Sequence, residues 1–203
     1  MKGFKISKRI FNLSLTFAFL SAVFLSLADF EVACGELRQN VLRLHIVANS
    51  DSDLDQELKL KIRDALLEES VDLFEGAADL ASAIKKAEGN TERLCETANR
   101  VIKENGAEYS ATAFVGDSFF ETRVYDDFTL PAGVYKSLII KVGKAEGKNW
   151  WCVIFPEVCL PSAFGDLSDT VPENGTEIAQ KSDGYIMRFK VVEIYEKIKN
   201  IIK

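Results

Sequence analysis

The chain has 203 residues, 47 % of them apolar and 28 % charged, with a net charge of −6. That length suits one ordinary domain able to bury its core without a metal or many cross-links. The acidic balance and the lack of a basic stripe argue against nucleic acid and anionic lipid as partners.

The N-terminus begins with Lys2, Lys5, Lys8 and Arg9, then runs uncharged through IFNLSLTFAFLSAVFLSLA, Ile10 to Ala28. A cationic flank ahead of an apolar run reads as an export leader. At 19 residues the run is longer than the usual signal core and reaches the roughly 20 residues that span a bilayer. The expectation is a leader over residues 1–33, either cleaved near Ala28 or Ala33 or retained as an anchor with its positive end inside. VAC at 32–34 has the look of a lipoprotein cysteine, but Glu31 stands where an aliphatic residue would be wanted. Beyond the leader a single domain is expected over residues 40–203, and the exported part is more acidic than the whole because four cations leave with the leader.

NVLRLHIVANS (40–50) places Leu42, Leu44, Ile46 and Ala48 on one side of an alternating strand. In the following SDSDLDQELKLKIRDALLEESVDLF, Leu54, Leu58, Ile62, Ala65 and Leu66 recur at helical steps. Ser52 with Asp55, and acids at 51, 53 and 55, mark the start of that helix. AADLASAIKKAE and TERLCETANRVIKENG predict two more helices, separated at Gly89-Asn90. Strand signals then take over in YSATAFV (109–115), FFETRVY (119–125), VYKSLIIKV (134–142) and NWWCVIF (149–155). Gly116-Asp117 and TLPAG are read as turns, GKAEGKN (143–149) as a hairpin loop, and 166–184 as a polar, flexible loop. MRFKVVEIYEKIKNIIK closes the chain as a helix with Val191, Ile194, Tyr195, Ile198 and Ile201 in register. The fold class expected is α+β, a single domain with a mainly antiparallel or mixed sheet and helices packed mainly on one face.

Several short stretches suggest chemistry, and each has a plainer reading. Asp51, Asp53 and Asp55 open like a calcium loop, but Gln56 and Ile62 stand where that loop needs Gly and Glu. GKAEGK lacks the spacing and the following helix of a phosphate loop. His45, the sole imidazole, lies on a strand with no G-x-S-x-G nearby, so a sheet-surface histidine is favoured over a base. Asn49, Ser50 and Asp51 sit at a strand–helix junction, where polar side chains usually cap. Trp150 and Trp151 are adjacent on a strand and must point to opposite faces. Either a second layer covers both, or one indole is exposed as a contact.

Export implies an oxidising compartment in which Cys34, Cys95, Cys152 and Cys159 can pair. Cys95 has helical spacing with Leu94, Ala98 and Val101, which suits a buried structural thiol. The six residues between Cys152 and Cys159 form a loop that a disulfide could close, and they are too many for C-x-x-C redox chemistry. No zinc site is expected, since no close cysteine pair accompanies the lone histidine.

LRLHIVANSDSDLDQELKLKIRDALL (42–67) together with LPAGVYKSLIIKVGKAEGKNWWCVIFPEVCL (130–160) resembles the stage II sporulation protein R family of endospore-forming bacteria. The resemblance implies a signalling protein and not an enzyme, with no cofactor. It implies synthesis in the forespore and export to the space between the two membranes. There the family is required to activate a membrane-embedded aspartic protease that processes the precursor of sigma factor E in the mother cell. Membrane contact would then come only through an uncleaved leader, and nucleic acid would play no part. The resemblance brings forward Arg43, His45, Asn49, Ser50, Asp51, Gly133, Tyr135, Trp150 and Trp151 as fold or contact positions. It also implies a disulfide between Cys152 and Cys159. The rival reading is an exported hydrolase acting on cell wall, with His45 and the acids at 51–55 as its machinery. A third is an anchored structural domain without a partner.

Overall fold

The computed structural model describes residues 7–125, 128–156 and 167–202. Helix α1 (Lys8–Asn40) leads directly into strand β1 (Leu42–Val47), and helices α2 (Asp53–Phe74), α3 (Leu80–Gly89) and α4 (Thr91–Glu104) follow. Strand β2 (Ala111–Phe120), a small ribbon of β3 (Arg123–Val124) and β4 (Thr129–Leu130), then β5 (Gly133–Val142) and β6 (Asn149–Phe155) come next. The chain closes with α5 (Glu173–Gln180) and α6 (Ile186–Ile202). The main sheet has the order β2-β5-β1-β6, with β1 parallel to β5 and the outer pairs antiparallel. The fold is therefore the expected α+β class with a mixed sheet.

The strict alternation of β1 decides which side is the core. Leu42, Leu44 and Ile46 point to the face covered by α2, α3 and α4, where Leu138, Ile140, Cys152 and Ile154 join them. Each such fully buried side chain contributes about 1.5–3 kcal/mol before entropy is counted. Ser52 caps α2 by accepting from the Asp55 N–H, and Asp79 and Ser82 form a reciprocal cap on α3.

The opposite sheet face carries a second, smaller core, which covers one end of it. Phe30, Ala33, Cys34 and Leu37 of α1 pack there with Leu130, Val153, Ile178, Phe189 and Val192. α1 is continuous from Lys8 to Asn40, so this core begins at Phe30, inside the segment assigned to the leader. Upstream of Phe30 the same helix is bare, with Phe17 73 % and Phe24 71 % exposed. It is long and apolar enough to cross a membrane.

Several local expectations give way to tertiary context. The 143–149 loop does not close a hairpin, because β1 lies between β5 and β6 in the sheet. Gly116-Asp117 is not a turn: β2 runs straight through it because ten residues of β5 pair with it, from Ala111 opposite Val142 to Phe120 opposite Gly133. The part of the polar 166–184 stretch that is described contains α5, held by α1. There Gly175 N–H donates to Glu36 Oε2 at 3.1 Å, and a Cβ on Gly175 would crowd Val171 and the Ala33 carbonyl. In α6 the buried side is Phe189, Val192 and Glu196, whereas the apolar register read from the sequence, Val191, Ile194, Tyr195, Ile198 and Ile201, is exposed.

Candidate functional site

The two motif segments meet at the end of β1. Asn49 donates from Nδ2 to Asp55 Oδ2 at 2.9 Å, and its Oδ1 accepts the Lys144 N–H at 2.9 Å. Ser50 Oγ donates to Asp55 Oδ2 at 2.5 Å, and Asp51 Oδ1 accepts the Lys148 N–H at 2.7 Å. Gly147 lies so close to the Ser50 carbonyl that a Cβ there would collide with it. The polar triplet 49–51 thus ties the β5–β6 loop to the start of α2. Asp55 is the hub, receiving Tyr109 OH as well. Burial alone would raise its carboxyl, but hydrogen bonds from Ser50, Tyr109, Asn49 and Ser52 together hold it below the usual range. The acids here read from the sequence as helix caps, and no local signal points to the loop 95 residues along the chain or to Tyr109.

Arg43, expected as a contact position, is fully buried on the second sheet face. Its guanidinium lies over Phe120 and Tyr135, with ring centres 3.9 and 5.0 Å away, and donates to Tyr125 OH at 2.6 Å. No carboxylate among the described residues pairs with it, and burial pushes its pKa down. Tyr135 is equally sealed, its OH donating to the Pro131 carbonyl at 2.6 Å. Gly133, at φ 150°, lies beneath Arg38 of α1, whose side chain occupies the space of a Cβ. These three positions belong to the interior of the fold and not to a docking surface, because β3–β4 and α1 lie over them.

The tryptophans do point to opposite faces, but neither is bare. Trp150 packs on the main core with the Arg63 guanidinium 4.5 Å from its ring centre. Trp151 lies on the second face, 4.2 Å from the Arg123 guanidinium and beside His45 and Phe120. Covering arginines replace the exposed indole that the sequence left open as a possibility. Cys34 and Cys95 are free thiols. Cys34 is fully buried and burial drives its thiol up to about 12, whereas Cys95 is half-buried and donates to the Ala111 carbonyl at 3.2 Å. Cys159, half of the expected disulfide, lies outside the described residues.

His45 is the candidate base of the rival reading. Its Nε2 lies 3.0 Å from Asn149 Oδ1 and its Nδ1 3.3 Å from Ser118 Oγ. Burial, opposed by the Asn149 hydrogen bond and reinforced by the Lys141 and Arg43 charges, lowers its pKa. No described carboxylate orients the ring, and the acids at 51 and 55 are engaged in the loop clamp. Around it the second face is open: Phe114 is 39 % exposed, with Lys141 Nζ 5.5 Å from its ring centre. This patch of aromatic, imidazole and ammonium groups at the uncovered end of the sheet suits contact with an acidic or aromatic surface.

Comparison with known proteins decides the family. The family model of stage II sporulation protein R matches residues 38–164. The chain belongs to the stage II sporulation protein R family. It is 30 % identical over 188 residues to the stage II sporulation protein R of Bacillus subtilis (strain 168), covering 90 % of this chain and 80 % of that one. No solved structure matches. The family match takes in the whole sheet, α2–α4 and the loop clamp, so the residues that interlock 49–51 with 143–148 lie within the matched segment.

Proposed function

We propose that this sporulation protein is an exported signalling domain that activates a membrane-embedded aspartic protease. It is made in the forespore, held on the far side of the forespore membrane by α1, and touches the protease's extracytoplasmic face. The protease then processes the precursor of sigma factor E in the mother cell. The observation that carries this reading is membership of the family across the entire sheet. The burial of α1 from Phe30 onward supports retention of the helix as an anchor. The Cys152–Cys159 disulfide is part of the same reading, supported by the free state of the other two thiols.

A ligand shifts an enzyme between inactive and active states only by binding them unequally. The open end of the second face, with Phe114, His45 and Lys141, is the surface that we assign to that task. The test is co-production of the full chain with the protease and the sigma precursor, reading precursor cleavage. Phe114→Ser combined with Lys141→Glu is expected to cut cleavage at least tenfold with an unchanged unfolding midpoint. Full cleavage by that variant would overturn the assignment. His45→Gln separates the hydrolase reading: a catalytic base would cost about 10²–10⁴-fold, whereas a contact at this edge costs far less.

A further inference from the structure

The corner between α5 and α6 lies against the part of α1 that is apolar enough to span a bilayer. Met187 and Val191 of α6 line one groove with Phe19, Val23 and Leu27 of α1. A second groove, sharing Ala22 and Ser26 with the first, runs between Leu25 and Asp29 of α1, Glu177 of α5, Tyr185 and Arg188. Arg188 lines both. The uncharged run of α1 begins at Ile10, just after Lys8 and Arg9. At 1.5 Å per residue a hydrocarbon core about 30 Å thick is crossed by about 20 residues, which puts its far boundary near Asp29. Side chains that lie beside residues 19–27 are then at membrane depth.

The exposure pattern of the corner fits that level. Ile186 is 60 % and Met187 77 % exposed, although both are large and apolar. Next to them stand a tyrosine and an arginine, the pair of residue types that mark the membrane–water boundary. The Arg188 guanidinium lies 5.3 Å from the Tyr185 ring centre and has no ion pair among the described residues. From there α6 leaves the span: Phe189 meets Phe30 with ring centres 5.0 Å apart, and Lys197 reaches Glu121 at 2.8 Å beside the sheet.

We propose that the Tyr185–Val191 corner is a second membrane contact, seated on the leaflet from which α1 emerges. Met187 and Val191 enter the hydrocarbon alongside α1, and Arg188 meets a phospholipid phosphate. The domain is thereby held by two points instead of a single tether, which fixes its orientation over the bilayer. The proposal rests on α1 being retained as the anchor, and not on the identity of the protease.

The test uses the full chain in phosphatidylcholine vesicles containing acyl-brominated lipid, reading the emission that one added tryptophan contributes above the parent. Phe24→Trp reports on α1, Met187→Trp on the corner and Ile201→Trp on the far end of α6. The native positions are 71 %, 77 % and 82 % exposed, so the folded core is undisturbed. The added emission is expected to be quenched at 24 and 187 and retained at 201, with bromines near the headgroup most effective at 187. Ile186→Trp repeats the measurement one residue away. Retention at both 186 and 187 while 24 is quenched overturns the proposal. Equal quenching at 187 and 201 overturns it too, because α6 would then lie flat. Retention at 24 shows that the anchor itself is wrong, and the corner falls with it.

Discussion

The Arg43 guanidinium sits 3.9 Å from the centre of the Phe120 ring, fully buried, with the Tyr125 hydroxyl as its hydrogen-bond partner. Among the described residues this cation is held by rings and one hydroxyl, and it depends heavily on that hydroxyl because burying a charge is costly. Tyr125→Phe is expected to destabilise the domain by about 1.5–3 kcal/mol, the usual worth of a hydrogen bond to a charged group. Arg43→Met removes the charge together with its requirement and should cost less. Thermal unfolding of the two variants checks the order; Tyr125→Phe being the milder would refute it.

The chain's single histidine gives an unobstructed NMR titration. His45 should titrate below 6.5, because burial disfavours the imidazolium. A base whose folded pKa is depressed binds more protons unfolded than folded between the two pKa values. Stability from this group is therefore full above pH 6.5 and is lost as pH falls towards the folded pKa. His45→Gln should flatten that part of the stability–pH curve, and a midpoint at or above 6.5 in the folded protein would contradict the burial argument.

Gly147 faces the Ser50 carbonyl with no room for a methyl group. Gly147→Ala is expected to cost about 1–3 kcal/mol, as overpacking does, read as a lower midpoint in urea with an unchanged slope. Gly89→Ala, where a Cβ meets nothing within 4 Å, is the control and should be neutral or mildly stabilising inside its helix.

α1 should divide into two halves by their effect on the domain. Leu37→Ala, at a fully buried site, is expected to cost about 2–5 kcal/mol. Phe24→Ala, 71 % exposed, should leave the unfolding midpoint in detergent unchanged while weakening membrane retention. Equal effects of the two would mean that the helix does not join the second core.

Local physics made much of this protein readable in one dimension. The alternation of Leu42, Leu44 and Ile46 named the core face of β1. Ser52 and Asp55 named the start of α2, and the uncharged run from Ile10 to Ala28 named the part of α1 that is long and apolar enough to cross a membrane. These are patterns of period two, period 3.6 or simple length, and they need no partner elsewhere in the chain. What alternation cannot report is the identity of the second layer. Arg43, a fold or contact position by resemblance, is fully buried, and the helical register of Val191 to Ile201 is exposed while Phe189 and Val192 supply the buried side. The clamp joining Asn49 and Asp51 to the loop at 144–148 spans a sequence distance at which no local preference acts. Parallel pairing of β1 with β5 and antiparallel pairing of β1 with β6 together bring those two ends side by side, and on those pairings the sequence is silent.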